Sequence, residues 1–273
     1  MSEPDPVWTE RTVVRDGVRL VARDHGGDGR PVLFLHGLAG YGGEWDATVA
    51  GMHGRHRVVT LDQRGHGASE RRPPGGDMSR PAYMADVIEV ITALRLDDVA
   101  LVGQSLGGNT AMLVAAARPD LVRALVMVEA GARGMDARDV DRIGAWLGSW
   151  PVPFGSLDEA ARFFGGGPAG AGWAAGLEPR GDGWWPRFDA EMMVRSVAGL
   201  VRPSFWNEWR QVACPALVVL GESGIISLAE QREMASARPG TAMVTVPGAG
   251  HDVHLDAPGA LRAVLTGFLE RRP

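Results

Sequence analysis

The 273-residue sequence contains no lysine, and all 28 of its basic side chains are arginine. A lysine nucleophile or Schiff base is thereby excluded. There is a single cysteine, Cys214, which forbids an internal disulfide and any metal site built on several thiolates. It stands before Pro215 and an apolar run, the setting of a buried structural thiol. Positive charge is not in excess either: the formal net charge is -5, so nothing in the balance points to nucleic acid. No apolar run approaches the length of a membrane span. The opening stretch, MSEPDPVWTERTVV, is acidic and proline-bearing and lacks an apolar h-region, which argues against secretion and for a soluble cytoplasmic protein.

What is present is an ordinary globular composition, 45% hydrophobic and 22% charged, with 38 glycines and 18 prolines that predict many turns. The length suits one large domain, or one domain carrying an insertion. TVVRDGVRLVARDHG reads as two strands about the turn Asp16-Gly17. Four near-continuous apolar runs follow, the character of strands buried on both faces. They are PVLFLHG, HRVVTLD ending at Asp62, VALVGQS ending at Ser105, and ALVMVEAG ending at Gly131. Helix-like segments separate them, one beginning after Ser79 as N-cap and one stopped by Pro119. This alternation predicts an α/β fold with a mostly parallel sheet flanked by helices. From residue 132 to residue 213 the pattern becomes irregular, then resumes with the strand ALVVLGE, a helix from Leu228, the strand TAMVTVPG and a helix from about Pro258. The reading is a core of residues 1–131 and 214–273 with an insertion of residues 132–213 after the sixth strand, long enough to carry structure of its own.

The end of one strand carries the chemistry. GQSLG places Ser105 between Gly103 and Gly107, where a strand turns sharply into a helix: glycines allow a tight turn, the serine takes an unfavourable backbone conformation, and its hydroxyl is exposed above a helix N-terminus. A serine hydroxyl needs a base. Of the seven histidines, His251 follows the last strand through a glycine-containing loop and is the expected base; His254 falls on or near the next helix. His36 is expected to shape a loop, His66 to be a hydrogen-bonded structural residue, and His25, His53 and His56 to lie on the surface.

The pieces LHGLAG, DQRGHGAS, GQSLGG and GAGHDVH, in this order, resemble the α/β-hydrolase fold family over nearly the whole chain. The resemblance implies Ser105 as nucleophile, His251 as base, the backbone N–H groups of Leu38 and Leu106 as an oxyanion hole, and residues 132–213 as a cap over the active site. It departs from the family's commonest pattern at the acid. The loop VVLGESGIIS has no aspartate, its usual position being Gly224, so the choice lies between Glu129 at the end of the sixth strand and Glu222 at the end of the seventh. Glu129, beside the elbow strand, is preferred for accepting the Nδ1 proton of His251.

Acyl transfer to water follows, with a small-molecule substrate and no need of a metal or organic cofactor. An ester or lactone is expected; a carbon–carbon bond hydrolase, perhydrolase or acyltransferase would keep the same serine and histidine. A dehalogenase or epoxide hydrolase would need aspartate in place of Ser105. A ligand-binding relative without catalysis is the alternative from another class. Seven of the nine tryptophans fall within the insertion. Trp150, Trp184 and Trp185 are expected to line a pocket for an apolar or aromatic substrate, the alternative being that the tryptophans glue the glycine-rich cap to the main domain. Arg187 and Arg202 are read as solvated.

Overall fold

The computed structural model describes residues 8–202 and 204–271; the first seven residues of the acidic opening stretch lie outside them. Strands β1 (Thr9–Arg15) and β2 (Val18–Gly26) form a hairpin in which Asp16 and Gly17 both take positive φ, as a two-residue turn of this hand demands. Next come β3 (Pro31–Leu35), α1 (Asp46–Val49), β4 (Arg57–Asp62), α2 (Arg80–Ala93), β5 (Val99–Gln104), α3 (Leu106–Ala117) and β6 (Val122–Val128). The Ser79 side chain caps α2 by accepting from Ala82 N–H.

Residues 132–213, irregular by sequence, hold five short helices and a hairpin: α4 (Ala137–Gly148), α5 (Leu157–Phe163), α6 (Gly167–Ala175), β7 (Glu178–Arg180), β8 (Gly183–Trp185), α7 (Ala190–Ala198) and α8 (Trp206–Gln211). Most of these helices span only two or three turns, too few for an apolar period to stand out. Their starts are nonetheless encoded. Asp136 and Asp139 form a capping box on α4, and Ser156 and Asp189 cap α5 and α7. The chain closes with β9 (Ala216–Gly221), α9 (Leu228–Ala237), β10 (Ala242–Val246), α10 (Val253–Asp256) and α11 (Pro258–Glu270).

The main sheet has 8 strands in the order β1-β2-β4-β3-β5-β6-β9-β10. β2 runs antiparallel to both its neighbours and every other pair is parallel. Alternation along each strand sends Val32, Phe34, Val102 and Val126 to one face, against α1, α10 and α11. Leu33, Leu35, Leu101 and Leu125 go to the other, against α2 and α3. Burying each such side chain contributes about 1.5–3 kcal/mol. β3 is followed in sequence by β4 on one side and lies against β5 on the other, so the strand order reverses there. Beyond the carboxyl ends of strands at such a reversal a crevice opens.

The segment between β6 and β9 is tied down at several points. Arg80, at the start of α2, donates from Nη2 to the hydroxyl of Ser196 in α7 at 2.9 Å and to its carbonyl at 3.1 Å. Arg71 makes a two-pronged ion pair with Glu178 at 2.7 and 2.6 Å, which holds that carboxyl down to about 2. α8 packs on α3 and α9, with Trp209 Nε1 donating to the Met234 carbonyl at 3.0 Å. Cys214 is buried, and burial pushes its thiol up to about 11, an inert structural thiol as expected.

Candidate active site

Ser105 joins β5 to α3 with φ 49° and ψ -114°, a backbone conformation that costs about 1–3 kcal/mol in a non-glycine residue. Its N–H donates to Val128 O and its carbonyl accepts from Asn109 N–H, both at 3.0 Å. The flanking glycines allow the tight turn by leaving room for backbone rather than by an unusual conformation of their own. Neither takes a positive φ. Instead, a Cβ on Gly103 would lie 2.2 Å from Gly107 O, and one on Gly107 would lie 2.4 Å from Leu35 O. The elbow is compact because backbone meets backbone, and the strain is carried by the serine.

Glu129 follows β6 with φ 47°. Its carboxylate is 1% exposed and receives two backbone N–H groups: Gly221, at the end of β9, on Oε1 at 2.8 Å, and Ile225, in the loop beyond, on Oε2 at 2.7 Å. Oε2 also lies 3.5 Å from Nδ1 of His251, a long contact. Gly224 passes so close that an added Cβ would stand 2.0 Å from Glu129 Oε1. The glutamate from the sixth strand therefore fills the space a side chain at 224 would need. Glu222 is exposed and accepts from Gly248 N–H at 2.9 Å, away from the cavity.

Ser105, Glu129 and His251 line one cavity of about 700 Å³, together with Leu38 and Leu106. Leu38 lies in the loop after β3, whose Gly37 runs against the elbow: a Cβ there would be 3.5 Å from that of Ser105. Leu106 is the first residue of α3, where the backbone N–H has no intrahelical partner.

The aromatic wall differs from expectation. Trp146 and Trp173 line the cavity; Trp150, Trp184 and Trp185 do not. Trp150 is buried behind the wall, edge-on to Trp146, Trp173, Phe164 and Phe188. Trp184 exchanges backbone hydrogen bonds with Phe154, and Trp185 donates to Asp182 beneath the guanidinium of Arg180. Those three hold residues 132–213 to one another, rather than to the rest of the chain as the alternative had it. Arg187 and Arg202 also stay off the cavity; Arg133, Arg142 and Asn109, with no motif to announce them, are on it, as is Asp252 beside His251.

The other histidines divide by burial. His36 accepts from Gln63 N–H on Nε2 at 3.0 Å and so donates from Nδ1 to Gly37 O at 2.7 Å, shaping its loop as a neutral ring whose pKa burial lowers. His66 contacts Arg64 O through Nδ1 at 2.8 Å, and burial holds it well below 6.5. His56, expected on the surface, is buried, and His25 is half-buried. The turn before β4 folds His56 under the loop of Gly27 and Gly29, which pass within contact of the 53–56 backbone. Only His53 of that group is exposed.

The model of the alpha/beta hydrolase fold family matches residues 30–258. The chain belongs to that family. It is 28% identical over 263 residues to the 2-(acetamidomethylene)succinate hydrolase of Mesorhizobium japonicum, with 89% of each chain covered. It is 30% identical over 254 residues to the sn-1-specific diacylglycerol lipase of Mus musculus, covering 87% of this chain and 80% of that one. A crystal structure of E-2-(acetamidomethylene)succinate hydrolase matches it with a TM-score of 0.87 at 27% identity, covering 97% of this chain and 100% of the other. No helix among the described residues is long and apolar enough to cross a membrane.

Proposed function

We propose that this α/β hydrolase is a serine hydrolase cleaving an uncharged ester or lactone with an apolar acyl group, through an acyl-enzyme. The observation that carries the reading is that a serine on a strained elbow shares its cavity with a histidine backed by a buried, doubly hydrogen-bonded carboxylate. Nε2 of His251 takes the proton of Ser105 as the serine oxygen bonds to the carbonyl carbon. Glu129, accepting from Nδ1, holds the tautomer and stabilises the imidazolium that forms. The N–H groups of Leu38 and Leu106 receive the oxyanion, each such donor being worth about 3 kcal/mol. His251 then protonates the leaving oxygen, and water attacks the acyl-enzyme by the same route in reverse. Residues 132–213 serve as the cap.

The substrate class rests on the cavity wall. Leu38, Leu106, Met135, Ile143, Trp146 and Trp173 supply an apolar surface. Carboxylates outnumber guanidinium groups in it: Glu129, Asp139, Glu230 and Asp252 stand against Arg133 and Arg142. Arg142 is paired with Asp139, and Arg133 faces Glu233 at 3.5 Å. The relative that acts on a succinate derivative handles a dicarboxylate; this wall favours a neutral ligand. A fluorophosphonate probe is expected to label the wild type and not Ser105→Ala. In a panel of esters and lactones, neutral apolar acyl groups should turn over fastest. Equal labelling of both proteins, or a preference for dicarboxylates, would overturn the corresponding half of the proposal.

A further inference from the structure

Asp252, the residue after His251, stands where several parts of the site meet. Its Oδ2 accepts from Nε1–H of Trp173 at 2.8 Å. Its Oδ1 lies 3.4 Å from Nε2 of Gln104, and that amide also donates to the His251 carbonyl at 3.2 Å. Gln104 precedes Ser105, so one carboxylate ties the base loop to the elbow on one side and to α6 on the other. Trp173 and Asp252 both line the cavity.

α6 is a poor helix left to itself. Its sequence, GPAGAGWAA, carries three glycines, each a weak helix former. It is entered through Gly165, Gly166 and its own first residue Gly167, all at positive φ with open space where a side chain would be. Three such residues in succession make a hinge. Beyond α6 the chain is held by the Arg71–Glu178 ion pair. On its inner side Gly172 presses on Leu255 of α10, an added Cβ lying 2.6 Å from Leu255 Cδ2. Its ring side carries Trp173 edge-on to Trp146 at 5.7 Å.

We infer that the Trp173–Asp252 hydrogen bond is a latch. It closes α6 over Ser105 and His251, makes Trp173 a specificity-determining wall for the acyl group, and makes Asp252 a positioning residue for the base loop. This rests on the proposed serine-hydrolase reading. A bulky apolar acyl group gains from the closed wall, whereas an acetyl group scarcely reaches it.

The test compares Trp173→Phe, Asp252→Ala, the double variant and Asp252→Asn, which keeps an acceptor oxygen. Their kinetics on a nitrophenyl acetate and a nitrophenyl hexanoate are measured beside hydrogen exchange of residues 167–177. Trp173→Phe and Asp252→Ala should each raise KM for the hexanoate ~10-fold, the loss on hexanoate exceeding that on acetate ~5-fold or more. The double variant should be no worse than Asp252→Ala, and Asp252→Asn should recover most of the loss. Exchange across 167–177 should quicken ~10-fold in both single variants and stay as in wild type in Ser105→Ala. Unchanged exchange, equal losses on both esters, or multiplying losses in the double variant would overturn the latch. Hydrolysis surviving in Ser105→Ala would instead overturn the serine-hydrolase reading, while the exchange data would still judge the latch.

Discussion

His251 and His254 stand three residues apart and each faces a glutamate, Glu129 at 3.5 Å and Glu44 at 3.4 Å. The two pairs share their chemistry and differ in surroundings. The His251 side chain is 32% exposed and opens on the cavity beside Ser105. His254 is 1% exposed, walled in by Glu44 and by the ring of Trp45 at 4.7 Å. Glu44 lies under the loop after β3, where a Cβ on Gly40 would come within 2.6 Å of its Oε2. The second pair therefore joins the loop carrying Leu38 to α10, and no substrate reaches it. A histidine–carboxylate pair is thus not in itself a sign of catalysis. Access to the cavity that Ser105 also lines is what separates the two.

The largest expected effects test that separation directly. Ser105→Ala and His251→Ala should each lower kcat by ~10⁵-fold or more on a short activated ester, and Glu129→Gln by ~10³-fold. His254→Gln and Glu44→Gln should lower it by less than ~10-fold. A loss at His254→Gln equal to that at His251→Ala would exchange the roles of the pairs.

The acid can then be moved. Because the Glu129 carboxylate fills the space beside Gly224, Gly224→Asp alone should disturb the site. In a Glu129→Ala background the same aspartate should restore kcat ~10-fold or more. A folded double variant with no recovery would mean that the ring takes its orientation from elsewhere. Smaller effects appear in stability. Glu44→Gln, which weakens a buried pair, should cost about 1–3 kcal/mol in urea unfolding, whereas Glu222→Gln on the surface should change it by less than about 0.5.

The buried and half-buried imidazoles give the broadest effect. Burial holds His36, His56 and His66 below 6.5 and pushes His25 down to about 4. The unfolded chain therefore binds more protons than the folded one as pH falls from 6.5 towards 4, and the folded state loses stability across that window. Asp46, raised by burial to about 6, acts in the opposite sense, its contribution falling as pH rises from 3.8 to 6. Four imidazoles outweigh one carboxyl, so Tm should fall from pH 6.5 to pH 4 in thermal melts. A Tm that rises on acidification would mean that these rings are solvated.

Much of the core was legible because its signals are local. An apolar run of five or six residues between turn residues has few alternatives to a buried strand, and Ser79, Pro119 and the Asp16-Gly17 pair mark boundaries by their own backbone chemistry. The segment between β6 and β9 was not legible in the same way. Its helices are short, α6 is interrupted by glycines, and the wall of the cavity depends on how they turn against one another. That is why Trp146 and Trp173 face inward while Trp150, four residues from Trp146, packs behind them. His56 was misplaced for a similar reason: what buries it is a glycine loop about thirty residues earlier.

The sequence by itself determined the strand-and-helix alternation, the elbow at Ser105, the presence of glutamates at the ends of β6 and β9, and the order in which these reach one sheet edge. These depend on backbone preferences and apolar period, which act over a few residues. Only the tertiary structure decided that Glu129 rather than Glu222 meets an imidazole, that His251 rather than His254 opens on the cavity, and which tryptophans stand in its wall. Those outcomes depend on the direction of side chains brought together from distant segments, and close packing of the whole molecule sets that direction.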